Sequence, residues 1–370
     1  MENRFSHKRS AWRVALWLVL WSMPMLSIGK TVEESIVIKK TLQLNSEQTL
    51  SIQNRYGDIN INSWNENHTK VIVTIYAHSS DPARARERLD EVEILERKTS
   101  SGVVLETEIL SKTFSLLRQQ GIEVSYDISI PKSIPLDIEN RFGDVYLDAR
   151  SGNVKIDIKN GNIVAKDLTG EDNRVKLQFG QADLSKVNGG NLDIAFGQLF
   201  LTEGQDIFLK GNGAVVRIDR VEEIELSANL GEIRIDEVDV ITGGYTSTKV
   251  TVGTLHQKAD LDIKAAIGFE IEEVSPGFEG IILTGNFTAL NLGFHEEATF
   301  EVDAQVEKGT LTGHNLGVDI KSTSQEDKMT IYQTQTLVPP ASGNGSISRT
   351  SKPGTVKIES KYGNVRISKG

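Results

Sequence analysis

The chain has no cysteine among its 370 residues. Disulfide bonds, thiolate nucleophiles and cysteine-based zinc sites are therefore excluded. Proline is scarce, with 8 residues, whereas glycine is frequent, with 32. This balance favours short strands joined by tight turns over a helical architecture. Hydrophobic residues make up 38% of the chain, which is enough to form a core.

Long apolar runs are missing except for one near the N-terminus, at residues 14–28. Four basic residues precede this run: Arg4, Lys8, Arg9 and Arg13. Ser27 and Gly29 are small residues at the −3 and −1 positions of a cut before Lys30. This layout is typical of a signal peptide over residues 1–29 and predicts export. The alternative is an uncleaved membrane anchor, for which the run is short.

No second apolar run is long enough to span a membrane, so no integral membrane segment is expected after signal cleavage. The formal net charge is −10 at pH 7. An acidic chain repels nucleic acid and anionic membrane surfaces unless it carries a local basic patch. We therefore expect no nucleic-acid partner.

Three segments of the chain align without gaps, and they begin at Ile52, Ile138 and Ile358. Each contains an aromatic residue, then glycine, then aspartate or asparagine, and then two aliphatic residues two positions apart. The central residues of the three copies are Tyr56, Gly57 and Asp58; Phe142, Gly143 and Asp144; and Tyr362, Gly363 and Asn364. Internal repetition of this kind indicates a repeat architecture.

Weaker copies fill the middle of the chain, and their turn glycines recur at steps of 15 to 22 residues. These glycines are Gly143, Gly161, Gly180, Gly197, Gly213, Gly231, Gly253 and Gly268. A period of about 18 residues holds two short strands and two turns. The pattern predicts an all-β fold, a single-stranded β-solenoid of about 18-residue rungs. Right-handed is the default for parallel crossovers.

Within a rung, apolar and polar residues alternate, as at Val154, Ile156 and Ile158. One strand face should therefore be buried and the other wet. Glycine at the corners supplies positive φ or close backbone approach, and the following Asp or Asn bonds nearby amides. Inward ladders are expected for Asn54 and Asn140. An inward aromatic stack beside the glycines is expected for Tyr56, Phe142, Phe179, Phe196 and Tyr362.

The sequence divides into further parts around the repeats. Residues 30–135 are expected to form a β-rich cap with one short helix, which starts at Pro82 after Asp81. Residues 136–335 hold the solenoid repeats, and residues 336–355 form a linker rich in Pro, Ser and Gly. Residues 356–370 carry the last motif copy, which is expected to form a terminal strand pair or cap, or to pair with another chain.

The order of these features resembles the putative adhesin family of bacterial envelope proteins. Trp64 and the copies at Tyr56–Asp58 and Phe142–Asp144 carry the resemblance, which covers roughly residues 31–323. The family is related to the head domains of autotransporter adhesins. The resemblance implies a β-solenoid and a periplasmic, surface or secreted location in a Gram-negative bacterium. It brings no catalytic residues.

Motifs for chemistry are absent from the sequence. The histidines form no H-x-H or H-E-x-x-H pair, and no G-x-S-x-G elbow occurs. The acidic turn at residues 167–173 does not match a calcium loop. The outward carboxylates expected on the rungs are interspersed with lysine and lack an aromatic shelf for sugars: Asp157, Asp193, Glu225 and Asp236. No catalytic residue, metal or cofactor is predicted.

Export, repetition and the missing catalytic motifs favour a non-enzymatic envelope protein that acts in adhesion or as a binding scaffold for a protein or glycan. Two alternatives stay open. One is a carbohydrate-active β-helix enzyme, a lyase or glycosidase. The other is a periplasmic structural or stress-sensing component with a protein partner. Neither the ligand nor the oligomeric state follows from the sequence.

Overall fold

The structure is a computed structural model that describes residues 32–110, 121–317, 324–326, 329–338 and 353–370. Most of these residues belong to β-strands, and one helix occurs among them. The predicted all-β class is therefore confirmed. No helix in the described ranges has the length and apolar character needed to cross a membrane. The predicted signal peptide lies outside the described residues.

The strands and the helix follow one another in a simple order along the chain. In that order they are β1 (Val32–Leu42), β2 (Thr49–Arg55), β3 (Ile59–Trp64), β4 (Thr69–Ser79), α1 (Pro82–Asp90), β5 (Val92–Thr99), β6 (Gly102–Ile109), β7 (Ile122–Pro131), β8 (Leu136–Arg141), β9 (Val145–Leu147), β10 (Val154–Lys159), β11 (Ile163–Leu168), β12 (Asn173–Gln178), β13 (Gln181–Ala195), β14 (Gln198–Lys264), β15 (Gly268–Val274), β16 (Gly280–Asn286), β17 (Leu290–Phe294), β18 (Phe300–Glu307), β19 (Leu311–His314), β20 (Ser324–Glu326), β21 (Met329–Val338), β22 (Gly354–Lys361) and β23 (Val365–Lys369).

Parallel pairing joins equivalent positions of successive repeats. Ile138 pairs with Ile156, which pairs with Val175; Val175 pairs with Leu192, and Leu192 with Leu209. The register therefore advances by 17 to 19 residues at each step. All five side chains are buried in one continuous apolar core. Burial alternates along these strands, as the period-two pattern requires.

The sheet is mixed, because antiparallel pairs occur towards both ends of the chain. β1 pairs antiparallel with β4, β4 with β7, β5 with β6, and β18 with β21. The predicted short helix is present as α1. The Asp81 side chain accepts a hydrogen bond from the Ala83 amide, and Pro82 occupies the first turn. This capping fixes where the helix begins.

The motif copy at Tyr56 is an interior layer of the sheet. β2 lies between β6 and β8, and β3 lies between β7 and β9. The chain therefore places β6 and β7 outside a layer that it made earlier. Beside this layer, Thr107 Oγ1 donates to buried Asn54 at 2.9 Å and is hydrogen-bonded to Tyr126 Oη at 2.8 Å.

The copy at Tyr362 is also interior. β22 pairs with β16 on one side and β18 on the other, and β23 lies between β17 and β19. This corrects the expectation of a terminal cap, since the last strands separate two layers that are neighbours in sequence. Most of the predicted linker, residues 339–352, lies outside the described residues.

Arg150 is a buried cation that the sequence analysis missed. It is 1% exposed, and its guanidinium donates to the carbonyls of Pro131 and Ile134, both at 2.7 Å, and to Ser63 Oγ at 3.0 Å. Burial lowers the pKa of Arg150 to about 10. The Arg150 side chain therefore links its own segment to the end of β3 and to residues 131–134, which is a structural role.

Candidate binding surface

The corner at each motif copy has a left-handed residue immediately before the motif glycine. φ is 60° at Tyr56, 61° at Phe142 and 56° at Tyr362. The aromatic residue therefore has the positive φ that was predicted for the glycine after it. Outside glycine, a left-handed residue costs roughly 1–2 kcal/mol, and asparagine tolerates it best.

The motif glycines are required by close backbone approach, the other reason that the sequence offered. A Cβ on Gly143 would lie closer than 3.0 Å to the backbone of Gly57, and one on Gly161 would clash in the same way with Gly143. Gly180 meets Gly161 similarly. The carbonyl of one layer thus occupies the space where the next layer would carry a side chain.

The left-handed corner residues form one row along an edge of the molecule. Tyr56 N donates to Arg141 O, Phe142 N to Lys159 O, and Phe287 N to Lys361 O, at 2.9 to 3.0 Å. We call this row the ladder. In spatial order its members are Tyr56, Phe142, Asn160, Phe179, Phe196, Gly213, Leu230, Ser247, Ala265, Phe287, Tyr362 and Lys308.

The ladder aromatics point into solvent, which corrects the prediction of an inward stack. The side chains of Phe142, Phe179, Phe196, Phe287 and Tyr362 are 40–59% exposed. The reason is the left-handed backbone, which turns the chain at this residue and interrupts the inward–outward alternation of the strand. The missing aromatic shelf, which counted against sugar binding in the sequence, is therefore present as a ladder on this edge.

The six aromatic rings of the ladder form three stacked pairs. Ring centroids lie 5.4 Å apart for Tyr56 and Phe142, 5.6 Å for Phe179 and Phe196, and 4.6 Å for Phe287 and Tyr362. The planes within a pair are inclined by only 4° to 11°. Each ring therefore covers one face of its partner.

The outer neighbours of two pairs also touch the rings. A Cβ on Gly213 would lie closer than 3.0 Å to the Phe196 ring, so Phe196 packs directly on the Gly213 backbone. The Nζ atom of Lys308 lies 4.8 Å from the ring centroid of Tyr362 and donates to its hydroxyl at 2.9 Å. Phe196 and Tyr362 are therefore covered on both faces and present their edges to solvent.

The motif residues after the glycine join one layer to the next. An Oδ1 atom of Asp58 accepts from the Asp144 amide at 2.8 Å, and Asp144 accepts from the Asn162 amide at 2.8 Å. Asn364 accepts from the Thr310 amide at 3.1 Å. The predicted bond to a nearby amide thus goes to the adjacent layer rather than to the same turn.

Two other predicted residue groups have structural contacts. The buried amides of Asn54 and Asn140 both donate to the Gly57 carbonyl, at 3.2 and 2.9 Å, as expected for an inward ladder. Trp64 lies away from the ladder: its indole Nε1 donates to His68 O at 2.8 Å, and its ring meets the His68 ring edge-on.

The residue before each ladder position is often an exposed cation. We call the residues that precede the ladder positions the flank. The flank has neutral residues in the middle layers and one acidic residue, Glu307. The cations of this flank, with the ladder's own Lys308, are Arg55, Arg141, Lys159, Lys264 and Lys361. This row of cations stands out in a chain with a net charge of −10, although carboxylates such as Glu139 and Asp262 lie beside some of its members. The sequence offered a signal for it, because the cations precede the motif aromatics directly.

The outward carboxylates that were weighed as catalytic candidates engage basic side chains. Asp157 accepts from Lys176 at 2.8 Å, Asp193 from Lys210 at 3.1 Å, and Asp236 from Arg234 at 2.8 Å. Asp157–Lys176 and Asp193–Lys210 are directly opposed across neighbouring strands. The hydrogen bond that Lys176 donates to Asp157 raises the pKa of Lys176. Glu225 is exposed on β14.

The acidic turn has a structural role. Asn173 is fully buried, and its Nδ2 donates to Gly170 O at 2.7 Å and to Gly189 O at 3.1 Å. Within the part of the chain that the structure describes, no three His, Asp or Glu side chains are placed to hold a metal ion.

No family model matches the chain, and no curated protein matches it. Solved structures are similar in part. One is a "putative cell adhesion protein" from Clostridium sporogenes, with 13% identity over 92% of this chain and 100% of that one, and a TM-score of 0.22.

Two further similar structures come from Bacteroides fragilis and Parabacteroides distasonis. A "putative adhesin" from Bacteroides fragilis has 9% identity, covers 90% of this chain and 97% of its own, and has a TM-score of 0.28. A "putative lipid binding protein" from Parabacteroides distasonis has 10% identity, covers 69% and 93%, and has a TM-score of 0.35. At these identities and TM-scores the likenesses assign neither a family nor a ligand to this chain.

Proposed function

We propose that this chain is an exported, non-enzymatic binding scaffold and that the ladder is its binding surface. The observation that carries the proposal is the row of half-exposed aromatic side chains on left-handed backbone. Asn160 and Gly213 occupy the same row and satisfy its backbone geometry at lower cost. The six aromatic residues of the ladder are therefore not explained by the geometry of the turn alone.

The energies support this argument. Six left-handed aromatic residues cost roughly 1–2 kcal/mol each. Three stacked pairs return about 0.5–1.5 kcal/mol each. Stacking between layers thus offsets only part of the conformational strain, and the solvent-exposed ring edges add no further stabilisation. Conformational strain that the fold does not need is found most often at functional sites.

The proposed location and architecture rest on two further observations. Residues 14–28 form an apolar run between basic residues and a small-residue cut site, which supports export. Parallel register steps of 17 to 19 residues support rungs of a β-solenoid. Mass spectrometry of the N-terminus of the exported protein tests the first point, since a cleaved protein begins at Lys30.

The lysine-paired carboxylates support a non-catalytic outer face. Glycosidases need two carboxyl groups with separate roles, whereas Asp157 and Asp193 are engaged with Lys176 and Lys210. Release of oligosaccharides from polysaccharide substrates by the purified protein would contradict the proposal.

The binding claim is tested with the full chain and a variant that carries Phe142→Asn, Phe179→Asn and Phe196→Asn. Asparagine is the residue that the fold already uses at Asn160, so the variant should keep its structure. Immobilised polysaccharides and lipid vesicles serve as probes. We expect the native chain to bind one class and the variant to lose that binding. Binding of neither class, or equal binding by both proteins, would refute the proposal.

A further inference from the structure

We infer that the ladder binds the surface of an anionic lipid bilayer, with its ring edges at the boundary between headgroups and acyl chains. This inference rests on the proposed function of the ladder. Aromatic residues are favoured at this boundary, because tyrosine has an apolar ring with a polar hydroxyl and phenylalanine buries its apolar ring in the acyl layer. The flanking arginine and lysine side chains would meet the lipid phosphates.

The ring geometry favours insertion over sugar stacking. A stacked sugar needs an open aromatic face, but one face of every ladder ring is covered by its partner at 4.6 to 5.6 Å, and the second faces of Phe196 and Tyr362 lie against Gly213 and Lys308. Successive layers of a parallel sheet lie about 4.8 Å apart, so no sugar ring fits between neighbouring positions. The ring edges remain exposed, and because they lie in one row they can insert together into the acyl-chain region of a bilayer.

The shape of the ladder fits a planar target. Its twelve positions extend over roughly 50 Å at the spacing of a parallel sheet. Leu230, which is 54% exposed, continues the apolar row between Phe196 and Phe287. Several half-exposed side chains on one line can therefore enter a flat interface at once, and their contributions add.

The charge distribution selects an anionic surface. Arg55 and Lys159 flank one end of the ladder, and Lys264, Lys361 and Lys308 flank the other. Their basic character is local, because the Debye length is about 8 Å at physiological salt. The acidic remainder of the chain would then orient the ladder towards the membrane and itself away from it.

Some of these cations have intramolecular partners. Arg141 pairs with Glu139 at 3.0 Å, Lys264 with Asp262, and Lys361 with Glu307 at 3.1 Å. All of these pairs are exposed or partly exposed, and such pairs contribute little, so a phosphate can replace the carboxylate. Asp58 and Asp144, on the other side of the ladder, are engaged with backbone amides of the next layers.

Vesicle flotation tests the inference. The probes are vesicles of phosphatidylcholine alone and vesicles that contain about one-third phosphatidylglycerol. We expect the native chain to float with the anionic vesicles. The Phe142→Asn, Phe179→Asn, Phe196→Asn variant should bind them roughly tenfold or more weakly, since three apolar side chains are lost. Both proteins carry the same N-terminal segment, so the difference between them measures the ladder alone.

Matched controls separate the ladder from the rest of the surface. Tyr146 is an exposed aromatic residue outside the ladder, and Tyr146→Thr should leave vesicle binding unchanged. Arg55→Gln with Lys159→Gln should weaken binding to anionic vesicles and reduce its salt dependence. Lys166→Gln, which removes an exposed cation away from the ladder, should not.

The outcomes distinguish this inference from the proposed function. Ladder-dependent binding to polysaccharides without binding to vesicles would overturn the lipid inference and leave the binding scaffold intact. Equal binding to neutral and anionic vesicles, or equal flotation of the native and Phe→Asn proteins, would also overturn it. If the native chain bound neither vesicles nor polysaccharides, both the lipid inference and the proposed function would be refuted.

Discussion

At the scale of single residues, each corner combines a left-handed aromatic with a glycine that has no space for a side chain. Phe142 has positive φ, while Gly143 lies against the backbone of Gly57. The two residues therefore have different tolerances. Substitution of the aromatic changes the surface, whereas substitution of the glycine forces two layers apart.

The change Gly143→Ala should destabilise the protein by more than about 2 kcal/mol, because overpacking against a backbone cannot be relieved by a rotamer change. Gly268→Ala is the matched control, since nothing lies within 4 Å of its Cβ position. Urea unfolding followed by circular dichroism measures both variants. Equal midpoints for the two would show that the close approach at Gly143 does not limit packing.

Two buried tyrosines differ only in their hydrogen bonds. Among the described residues, no partner lies near the hydroxyl of Tyr245, whereas that of Tyr126 is bonded to Thr107 at 2.8 Å. Tyr245→Phe should therefore raise the free energy of unfolding by about 1 kcal/mol, and Tyr126→Phe should lower it by a similar amount. Denaturant unfolding of both variants checks this, and a loss of stability in Tyr245→Phe would contradict it.

The same tyrosines predict an alkaline loss of stability. Burial raises the pKa of Tyr126 to about 12 and that of Tyr245 further. The unfolded tyrosines release their protons near pH 10, while the folded ones keep them. The contribution of each tyrosine is thus complete below about pH 10 and falls by roughly 1.4 kcal/mol per pH unit between pH 10 and the folded pKa of that tyrosine. Denaturant unfolding at rising pH measures this, and above pH 10 the free energy of unfolding should fall less steeply for the Tyr126→Phe, Tyr245→Phe double variant than for the native chain.

At the scale of elements, the strands β22 and β23 hold two neighbouring parts of the sheet together. Every residue of β22 from Thr355 to Lys361 has a partner in both β16 and β18. Parallel strands of this kind are stabilised mainly by their buried face. Damage to that face should therefore free both neighbouring strands at once.

Ile358→Asp tests this coupling. The side chain is 1% exposed, so the substitution buries a carboxylate in the apolar core and should cost several kcal/mol. Hydrogen exchange should accelerate in β16 and β18 together. Glu359→Asp, at the exposed neighbouring position, is the control and should leave exchange unchanged. Faster exchange confined to β22 would show that the strand is not an integral layer.

At the scale of the whole molecule, much of the core could be predicted from the sequence. Alternation at residues such as Ile156 and Ile158 is a local signal, and it identifies the buried face correctly. The outward direction of Phe142 could not be read from alternation, because the left-handed backbone lies at the corner between strands. A signal did exist: Asn160 occupies the equivalent position before a glycine, and asparagine favours left-handed geometry.

The order of the layers was beyond the sequence patterns. Whether the copy at Ile358 is terminal or interior depends on its pairing with Leu283 and Ala304, which lie far away along the chain. Both arrangements bury the same face of the strand, so hydrophobic periodicity does not distinguish them. The same holds for β2, whose partner β6 follows it by some fifty residues.

The interior position of residues 354–369 has a consequence for the timing of folding. β16 and β18 cannot reach their final separation until β22 has entered between them, so this part of the sheet is completed only after residues 354–369 join it. Until β22 is in place, the edges of β16 and β18 that face it lack their native hydrogen-bond partners. An incompletely folded chain therefore exposes two strand edges that can pair with other chains.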